Sequence, residues 1–235
     1  MAEVAWFDNA LGSFLPPRLS PSVTTAIDTA RFNRHRTIFI SDTHLGTRGC
    51  KAEALADFLA HNDCATLFLV GDIVDGWRLK RRWFWTDAQT RVVSEILRKV
   101  DNGTRVIFVP GNHDAYVPSA MPFIAKTFAP WMAGDAPRAE TFPYLRLRGD
   151  VAIIGLTSGV PTAPLLANGR LGGPQRERFA QMLSQTRGQM RVVMIHHPPH
   201  NSGATPGRGL TDSRRFEKII REQGAELILH GHNHR

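Results

Sequence analysis

An α/β fold carrying a mainly parallel, mixed sheet is what the sequence predicts, and three observations predict it. Short apolar runs alternate with longer stretches of helical period along the 235 residues. The longest apolar runs are only four or five residues, such as Leu67-Phe68-Leu69-Val70, the length of strands covered on both faces. The chain is 42% hydrophobic and 21% charged, a composition that supports a buried core.

Taken in order, residues 1–35 read as an N-terminal arm. Pro16-Pro17, Pro21 and the run from Ser20 to Thr25 break any long period there, leaving room for a turn or two of helix over Ala26 to Phe32. Trp6, Phe7, Phe14 and Leu15 suit the arm for packing on the body or touching a partner. Residues 36–235 then form one domain. Strands are expected at Thr37–Ser41, Thr66–Gly71, Thr104–Val109, Val151–Leu156, Arg191–Ile195 and Glu226–His230, and helices at Lys51–Asn62, Trp83–Val100, Pro174–Thr186 and Ser213–Gln223. Pro174 fits a first helical turn, where its missing N–H would be unpaired anyway, and Asp212 is placed to cap the helix at Ser213. Thr141–Arg148, followed by Gly149-Asp150 and a further apolar run, reads as a hairpin, which makes the sheet mixed.

Several classes are excluded. No run approaches the ~20 apolar residues that cross a bilayer. Glu3 and Asp8 precede any Lys or Arg, unlike the basic start of a secretory signal. Cys50 and Cys64 allow at most one bridge and read as small buried residues or a surface thiol. The expectation is a cytoplasmic protein, at most peripheral to a membrane. Its charge is the unusual number: 29 Lys+Arg against 21 Asp+Glu, net +8. That surplus favours phosphorylated metabolites, nucleic acid or acidic lipid heads, although many proteins are simply basic. Part of it is concentrated between Trp77 and Trp85, where Arg78, Lys80, Arg81 and Arg82 have no acid among them. One reading has Arg78, Arg81 and Arg82 gripping a diphosphate, a nucleotide or an acidic membrane surface. The other has Trp83, Phe84 and Trp85 opening a core helix whose charges face water.

The residues just after each apolar run carry the chemistry. Ile38-Phe39-Ile40 leads into Ser41-Asp42-Thr43-His44, and Leu67 to Val70 into Gly71-Asp72-Ile73-Val74-Asp75. Val106 to Val109 leads into Pro110-Gly111-Asn112-His113-Asp114, Val192 to Ile195 into His196-His197-Pro198-Pro199, and Leu227 to Leu229 into His230-Gly231-His232-Asn233-His234. Seven of the ten histidines lie in these five junctions, at the strand ends where open α/β sheets bind ligands. In extended chain, residues two apart point the same way, so Asp42 with His44, and His232 with His234, can grip one ion. Asp72, with two carboxylate oxygens, is the natural bridge between two cations. Gly71, Gly111 and Gly231 let the backbone turn sharply close to the ions. Alone, Asp-x-His is ordinary surface chemistry and Gly-Asn-His-Asp an ordinary turn. All five together, each after an apolar run, indicate a dinuclear metal site. Oxygen and nitrogen ligands without thiolate suit Mn, Fe, Zn, Ni or Co.

These motifs resemble the calcineurin-like metallophosphoesterases, whose signature D-x-H, G-D-x-x-D, G-N-H-D/E, H and G-H-x-H is met by Asp42/His44, Gly71-Asp72/Asp75, Gly111 to Asp114, His196 and Gly231-His232/His234. The resemblance spans residues 37–234. It implies a four-layer α-β-β-α sandwich of mixed sheets and two transition-metal ions, one held by Asp42, His44, Asp72 and His234, the other by Asp72, Asn112, His196 and His232. Residues 37–114, with SDTHLGTRGCKAE and GDIVDGWRLKRRWFW, resemble the UDP-2,3-diacylglucosamine diphosphatase-like branch. Residues 115–234, with FPYLRLRGDVAIIGLTSGVPTAP, IHHPP and GHNH, resemble the cyclic-nucleotide and glycerophosphodiester phosphodiesterase branch. Relatives continue into further strands beyond the last motif, so a second sheet lacking its C-terminal strands is expected.

The resemblance makes His113 the general acid or oxyanion stabiliser, with Asp114 orienting it; the ordinary alternative is a turn histidine held by Asp114. Asp75 is expected to hold a neighbouring histidine or a backbone amide. His197 is expected to pack behind the ligands, or to be the ligand in place of His196. His230 reads as a core imidazole or one supporting the ligands, and His200 carries little. Two divalent ions ~3.5–4 Å apart would generate a hydroxide that attacks phosphorus in line. The expected activity is hydrolysis of phosphate mono- or diesters or nucleotide-linked diphosphates in small molecules. The alternatives are a metal-dependent nuclease, disfavoured by the lack of a long basic stripe interleaved with aromatics, and a non-catalytic scaffold, disfavoured because every expected ligand is present.

Overall fold

The computed structural model describes residues 33–114, 132, 134–135, 142–162, 166–200 and 206–233; the expected arm lies outside them as far as residue 32. The first sheet is three parallel strands in the order β1 (Asn33–Ile40), β2 (Asn62–Val70) and β3 (Arg105–Val109). Helix α1 (Ala52–His61) connects the first two, and α2 (Gly76–Arg81) and α3 (Asp87–Asp101) lie between the second and third. The second sheet runs β4 (Tyr144–Arg148), β5 (Val151–Gly155), β6 (Met190–Met194), β7 (Leu227–Leu229), antiparallel at β4/β5 and parallel beyond. Its crossovers are α4 (Gly173–Gln185) and α5 (Ser213–Gln223). The expected hairpin is therefore present and makes this sheet mixed.

Alternation along the strands divides the core. Ile153 and Met194 of the second sheet join Leu67, Leu69 and Ile107 of the first in one apolar cluster. Their neighbours Ile154, Val193 and Ile195 pack instead with Phe179, Met182 and Leu183 of α4 and Phe216 of α5. Ala52, Ala56 and Leu59 of α1 and Ala88 and Val92 of α3 cover the first sheet. Helices, two sheets and helices again form the mixed α/β sandwich that the motifs implied. Among the described residues no helix is long and apolar enough to cross a membrane.

Three local expectations are corrected. Strands β1 and β2 begin at Asn33 and Asn62, ahead of the apolar runs, because Asn33, Arg34 and His35 pair with Asn62, Asp63 and Cys64 along the ladder, and the His35 ring adds a contact of 2.9 Å to Asn62 Oδ1; polar residues at the open end of a sheet leave no hydropathy signal. Trp83 to Trp85 do not open a helix. The helix starts at Asp87, and the Thr86 hydroxyl accepts from the Gln89 N–H at 3.3 Å, a cap that Thr86-Asp87-Ala88-Gln89 spells. Asp212 precedes α5 but makes no side-chain cap there; its carboxylate accepts from the N–H groups of Leu171 (3.1 Å) and Gly172 (3.0 Å) and pairs with Arg176, tying the entry of α4 to that of α5. Cys64 is buried, Cys50 half-buried, and both are free thiols.

A buried cation explains why β2 leaves α1 without a loop. Lys99 of α3 is fully buried, its Nζ 2.8 Å from Asp63 Oδ1 and 2.5 Å from the Asn62 carbonyl. Arg98 donates to the same Asp63 oxygen at 3.2 Å. Burial acts to raise the Asp63 pKa, but the donors Lys99 and Arg98 outweigh it and hold the carboxyl below its usual range. Asp63→Ala, which leaves the Lys99 ammonium without its carboxylate, is expected to cost about 1.5–3 kcal/mol in urea unfolding at pH 7. Because the folded pKa is depressed, this difference between parent and variant should fade as the pH falls below about 3.9, the ordinary Asp value.

Candidate metal centre

The parallel ladder of the first sheet does not stop where its strands end. Asp42 N–H donates to the Gly71 carbonyl (3.1 Å), His44 N–H to Asp72 (2.9 Å) and Leu45 N–H to Ile73 (2.9 Å), so the two loops run side by side. The second sheet does the same: Gly231 N–H donates to the His196 carbonyl at 3.0 Å. These paired loops bring the strand ends together with unusual backbone. The non-glycine residues with positive φ among the described residues are Asp42 (52°), His44 (46°), Asp72 (53°) and His232 (75°). A left-handed L-residue costs on the order of 1 kcal/mol, and such strain gathers where function over-determines the geometry. The expected glycines act chiefly by lacking a side chain. A Cβ on Gly71 would fall on the His196 ring, on Gly111 against Asp72, and on Gly231 against Asp42 and Ser41; only Gly71 also needs a left-handed φ, +76°.

Four side chains from both sheets converge on one point. His196 Nε2 lies 3.0 Å from Asn112 Oδ1, 3.2 Å from Asp72 Oδ2 and 3.2 Å from His232 Nδ1. His196 is fully buried, and Asp72, Asn112 and His232 are buried with it. The His232 tautomer is fixed from outside: Nε2 lies 2.8 Å from the Arg208 carbonyl, which only accepts, so Nε2 carries the hydrogen and Nδ1 presents a lone pair. Burial, then the charge of His196, pushes the His232 pKa down to about 4 and keeps this ring neutral. One proton on His196 Nε2 cannot satisfy three acceptors; a cation seated among the four donor atoms can. Asn112 Nδ2 and His196 Nδ1 are buried with no hydrogen-bond partner among the described residues. The donor set fits a divalent transition metal.

Asp72 holds a second group with His44 and His113, whose ligand atoms also lie close enough to share an ion. His44 Nε2 is 3.8 Å from Asp72 Oδ2. Asp72 Oδ1 accepts the His113 N–H at 2.9 Å, while Oδ2 faces both His44 and His196. Burial opposes ionisation of Asp72, but the charge of His196 leads the interactions that hold its pKa well below the carboxylate range.

The orienting residue for His113 is also corrected. Asp114 Oδ2 accepts from the N–H groups of Asp72 (2.8 Å) and Gly111 (2.9 Å), clamping the two loops. Burial and the neighbouring Asp72 charge push its pKa up to about 6. It is Asp75 that meets His113, Oδ2 to Nδ1 at 3.0 Å, and the same oxygen is 3.6 Å from His44 Nδ1. Asp75 Oδ1 accepts the Arg78 N–H at 2.9 Å and caps α2. Burial lowers the His113 pKa, but Asp75 followed by Asp72 outweighs it, and the ring is held above its ordinary value.

The remaining expected residues fall around this pair of groups. Asp42 Oδ1 accepts the His232 N–H at 2.9 Å, placing it at the rim of the convergence but outside both compact groups. His197 is fully buried with both ring nitrogens engaged by protein, which leaves His196 as the imidazole facing Asp72. His230 is exposed rather than in the core, because β7 is a three-residue edge strand; its Nδ1 lies 3.3 Å from the Gly231 carbonyl. His200 is exposed, and His234 lies outside the described residues. Arg78, Arg81 and Arg82 are exposed on and just after α2. The Arg208 carbonyl and Ser158, which bonds His197, carry no motif by which the sequence could mark them.

Comparison with known proteins agrees with this geometry. A family model described as calcineurin-like phosphoesterase matches residues 35–235. The chain is 25% identical over 205 residues to a UDP-2,3-diacylglucosamine hydrolase of Chromohalobacter salexigens, covering 85% of this chain and 80% of that protein. That stretch reaches well beyond residues 37–114, whose motifs carry the likeness to this branch. A crystal structure of a dimetal phosphatase from Danio rerio superposes with a TM-score of 0.54 at 15% identity, over 87% of this chain and 82% of that one. Because Asp72 Oδ2 faces both groups, Asp72→Ala is expected to abolish binding of Mn²⁺ at both, measured calorimetrically on protein stripped with a chelator, whereas His44→Ala should weaken one binding event more than the other.

Proposed function

The chain belongs to the calcineurin-like phosphoesterases and is a metallophosphoesterase, and from that premise we propose that it hydrolyses phosphate esters or nucleotide-linked diphosphates of small molecules at a dinuclear centre. The observation that carries this reading is the meeting of Asp72 Oδ2, Asn112 Oδ1 and His232 Nδ1 on His196 Nε2 within 3.2 Å. Asp72, Asn112, His196 and His232 would hold one ion; Asp42, His44, Asp72 and His234 the other. Two ions of the Mn, Fe, Zn, Ni or Co type, when bound, supply Lewis acidity toward phosphate oxygens and acidify water.

The rest of the proposed chemistry belongs to side chains. With Nδ1 turned to Asp75, His113 keeps Nε2 for the reacting group. Its raised pKa favours the protonated ring near neutral pH, the form able to give a proton to the leaving oxygen. Asp75 sets ring orientation and pKa without touching the substrate. The name of the Chromohalobacter relative supports a nucleotide-linked diphosphate among the substrates. The test is a screen of phosphomonoesters, cyclic nucleotides, glycerophosphodiesters and nucleotide-linked diphosphates with added Mn²⁺. Turnover of none of them by the metal-loaded protein would refute the reading. His113→Ala should keep its bound metal and lose about 100-fold in turnover. Loss of the Asp75 carboxylate lowers the His113 pKa, so in Asp75→Asn the alkaline limb of kcat should move to lower pH.

The basic segment lies beside the site on α2 and its exit. Arg78 and Arg81 stack on Trp77 at 5.7 and 5.0 Å, and Arg48 lies over Phe84 at 5.5 Å. Trp83 is 47% exposed and stacks on Trp85. Stacking fixes the guanidinium planes while leaving N–H edges for phosphate oxygens. The proposed role is to hold the anionic part of the substrate, with an acidic membrane surface as a further partner for the same exposed face. Reversing Arg78, Arg81 and Arg82 to Glu should raise KM for anionic substrates at low salt by about tenfold and change kcat much less. Sedimentation with phosphatidylglycerol vesicles reads the membrane contact separately.

A further inference from the structure

Behind His232 lies a set of hydrogen bonds that the proposed reaction does not use. His197 and Ser158 are both fully buried. His197 Nε2 is 3.0 Å from the Ala167 carbonyl, and a carbonyl only accepts, so Nε2 carries the hydrogen. Nδ1, left as a lone pair, lies 2.8 Å from Ser158 Oγ and accepts its hydroxyl hydrogen. That same Oγ accepts the His197 backbone N–H at 3.2 Å. Both ring nitrogens and the hydroxyl are thereby satisfied, with no donor or lone pair on the ring left for a substrate or an ion.

The carbonyls come from one irregular ribbon. Ala167 N–H donates to Gly207 (2.8 Å), Gly169 N–H to Gly209 (3.0 Å) and Thr211 N–H to Gly169 (2.9 Å), so segment 167–169 runs beside 207–211. Arg170 N–H donates to the Ser158 carbonyl at 3.1 Å, tying the ribbon to the end of β5. One side of this ribbon offers the Ala167 carbonyl to His197, and the other offers the Arg208 carbonyl to His232. The two imidazoles lie against each other with centroids 4.3 Å apart. The fit is tight enough that a Cβ on Gly169 would fall in the His197 ring.

We propose that His197, locked by Ser158 and the Ala167 carbonyl, is a positioning residue that holds the His232 ring so that its Nδ1 lone pair points at His196, Asp72 and Asn112. The assignment rests on the metal reading above, and its consequence is for metal affinity. A lone pair held in place is not lost to rotation when the ion leaves, whereas a freed His232 ring would have to be ordered each time one binds.

The test uses the chelator-stripped full chain, with Mn²⁺ as the probe. Ser158→Ala frees one side of the His197 ring, and His197→Phe keeps a ring of similar size without its hydrogen bonds. Each should weaken Mn²⁺ binding at one site by about 10- to 100-fold, read by calorimetry, while the metal-free variant still unfolds cooperatively. Long-range ¹H–¹⁵N spectra of the metal-free parent should show His197 and His232 as Nε2–H tautomers, and in Ser158→Ala the His232 ring signals should shift or broaden while the Arg208 carbonyl keeps Nε2 protonated. Should His197→Phe not fold, Ser158→Ala decides alone. Parental Mn²⁺ affinity in a cooperatively folded variant, or His232 ring signals unchanged from the parent, overturns the inference. A parent that takes up no Mn²⁺ overturns the metal centre instead, and the His232 ring signals still judge the positioning.

Discussion

A carboxylate taken out of water has to be matched by donors and positive charge on every side, and Asp72 is the buried carboxylate on which this arrangement turns. One oxygen takes a backbone N–H from the β3 loop, and the other faces imidazoles from the β1 and β6 loops. Its own N–H is claimed by Asp114. No single strand end could supply those partners. The left-handed backbone at Asp42, His44, Asp72 and His232, and the bare Cα of Gly71, Gly111 and Gly231, follow from packing loops of two sheets around one anion. The two apolar clusters keep the sheets in register for that meeting; the site is where their polar ends coincide.

The site's composition is legible in the sequence because strand ends in such folds carry function and apolar runs mark strands. Asp72, Asn112, His196 and His232 can be gathered from their place after those runs. Which atom each side chain spends on which neighbour cannot be read the same way. Gly-x-x-Asp spacing is equally consistent with Asp114 holding His113 or holding the backbone; the fold decides for the backbone, since two loops must be clamped before any ring can be placed. Asp75, three residues beyond Asp72, reaches His113 only because the β1 and β2 loops continue in parallel. Polar strand starts at Asn33 and Asn62 are invisible to hydropathy because ladder bonds and Lys99, not apolar burial, hold them. The helix expected over Trp83 to Val100 starts too early because aromatic residues mimic a core face, while the Thr86 cap is in plain view.

Two kinds of support surround the centre and differ in chemistry. On the first-sheet side carboxylates do the holding: Asp114 clamps backbone and Asp75 holds rings. On the second-sheet side neutral groups do it, through the Arg208 and Ala167 carbonyls and the Ser158 hydroxyl. Neutral support suits the uncharged rings of His232 and His197, and burial drives the same way, taking His197 down to about 3, whereas His196, facing Asp72, is held above its ordinary value. Charged support suits His113, whose proposed work requires a proton to be held near neutral pH.

Asp75 connects this interior to the rim in a way that composition alone would not suggest. One of its oxygens meets His113 and His44; the other caps α2 through the Arg78 N–H. The helix bearing Arg78 and Arg81 therefore starts on the same carboxylate that orients the proposed acid, only one side chain away from it. A substrate whose anionic part settles on those arginines would load a helix whose N-terminus is fixed to the His113 partner, so that grip at the rim and placement of the ring share one rigid connection. Lengthening or loosening the turn between Asp75 and Arg78 would separate them, whereas substitutions further along the exposed segment leave the connection whole. If the proposed grip on the substrate is right, changes over residues 81–85 would alter it while the Asp75 cap and the residues beneath it stay the same.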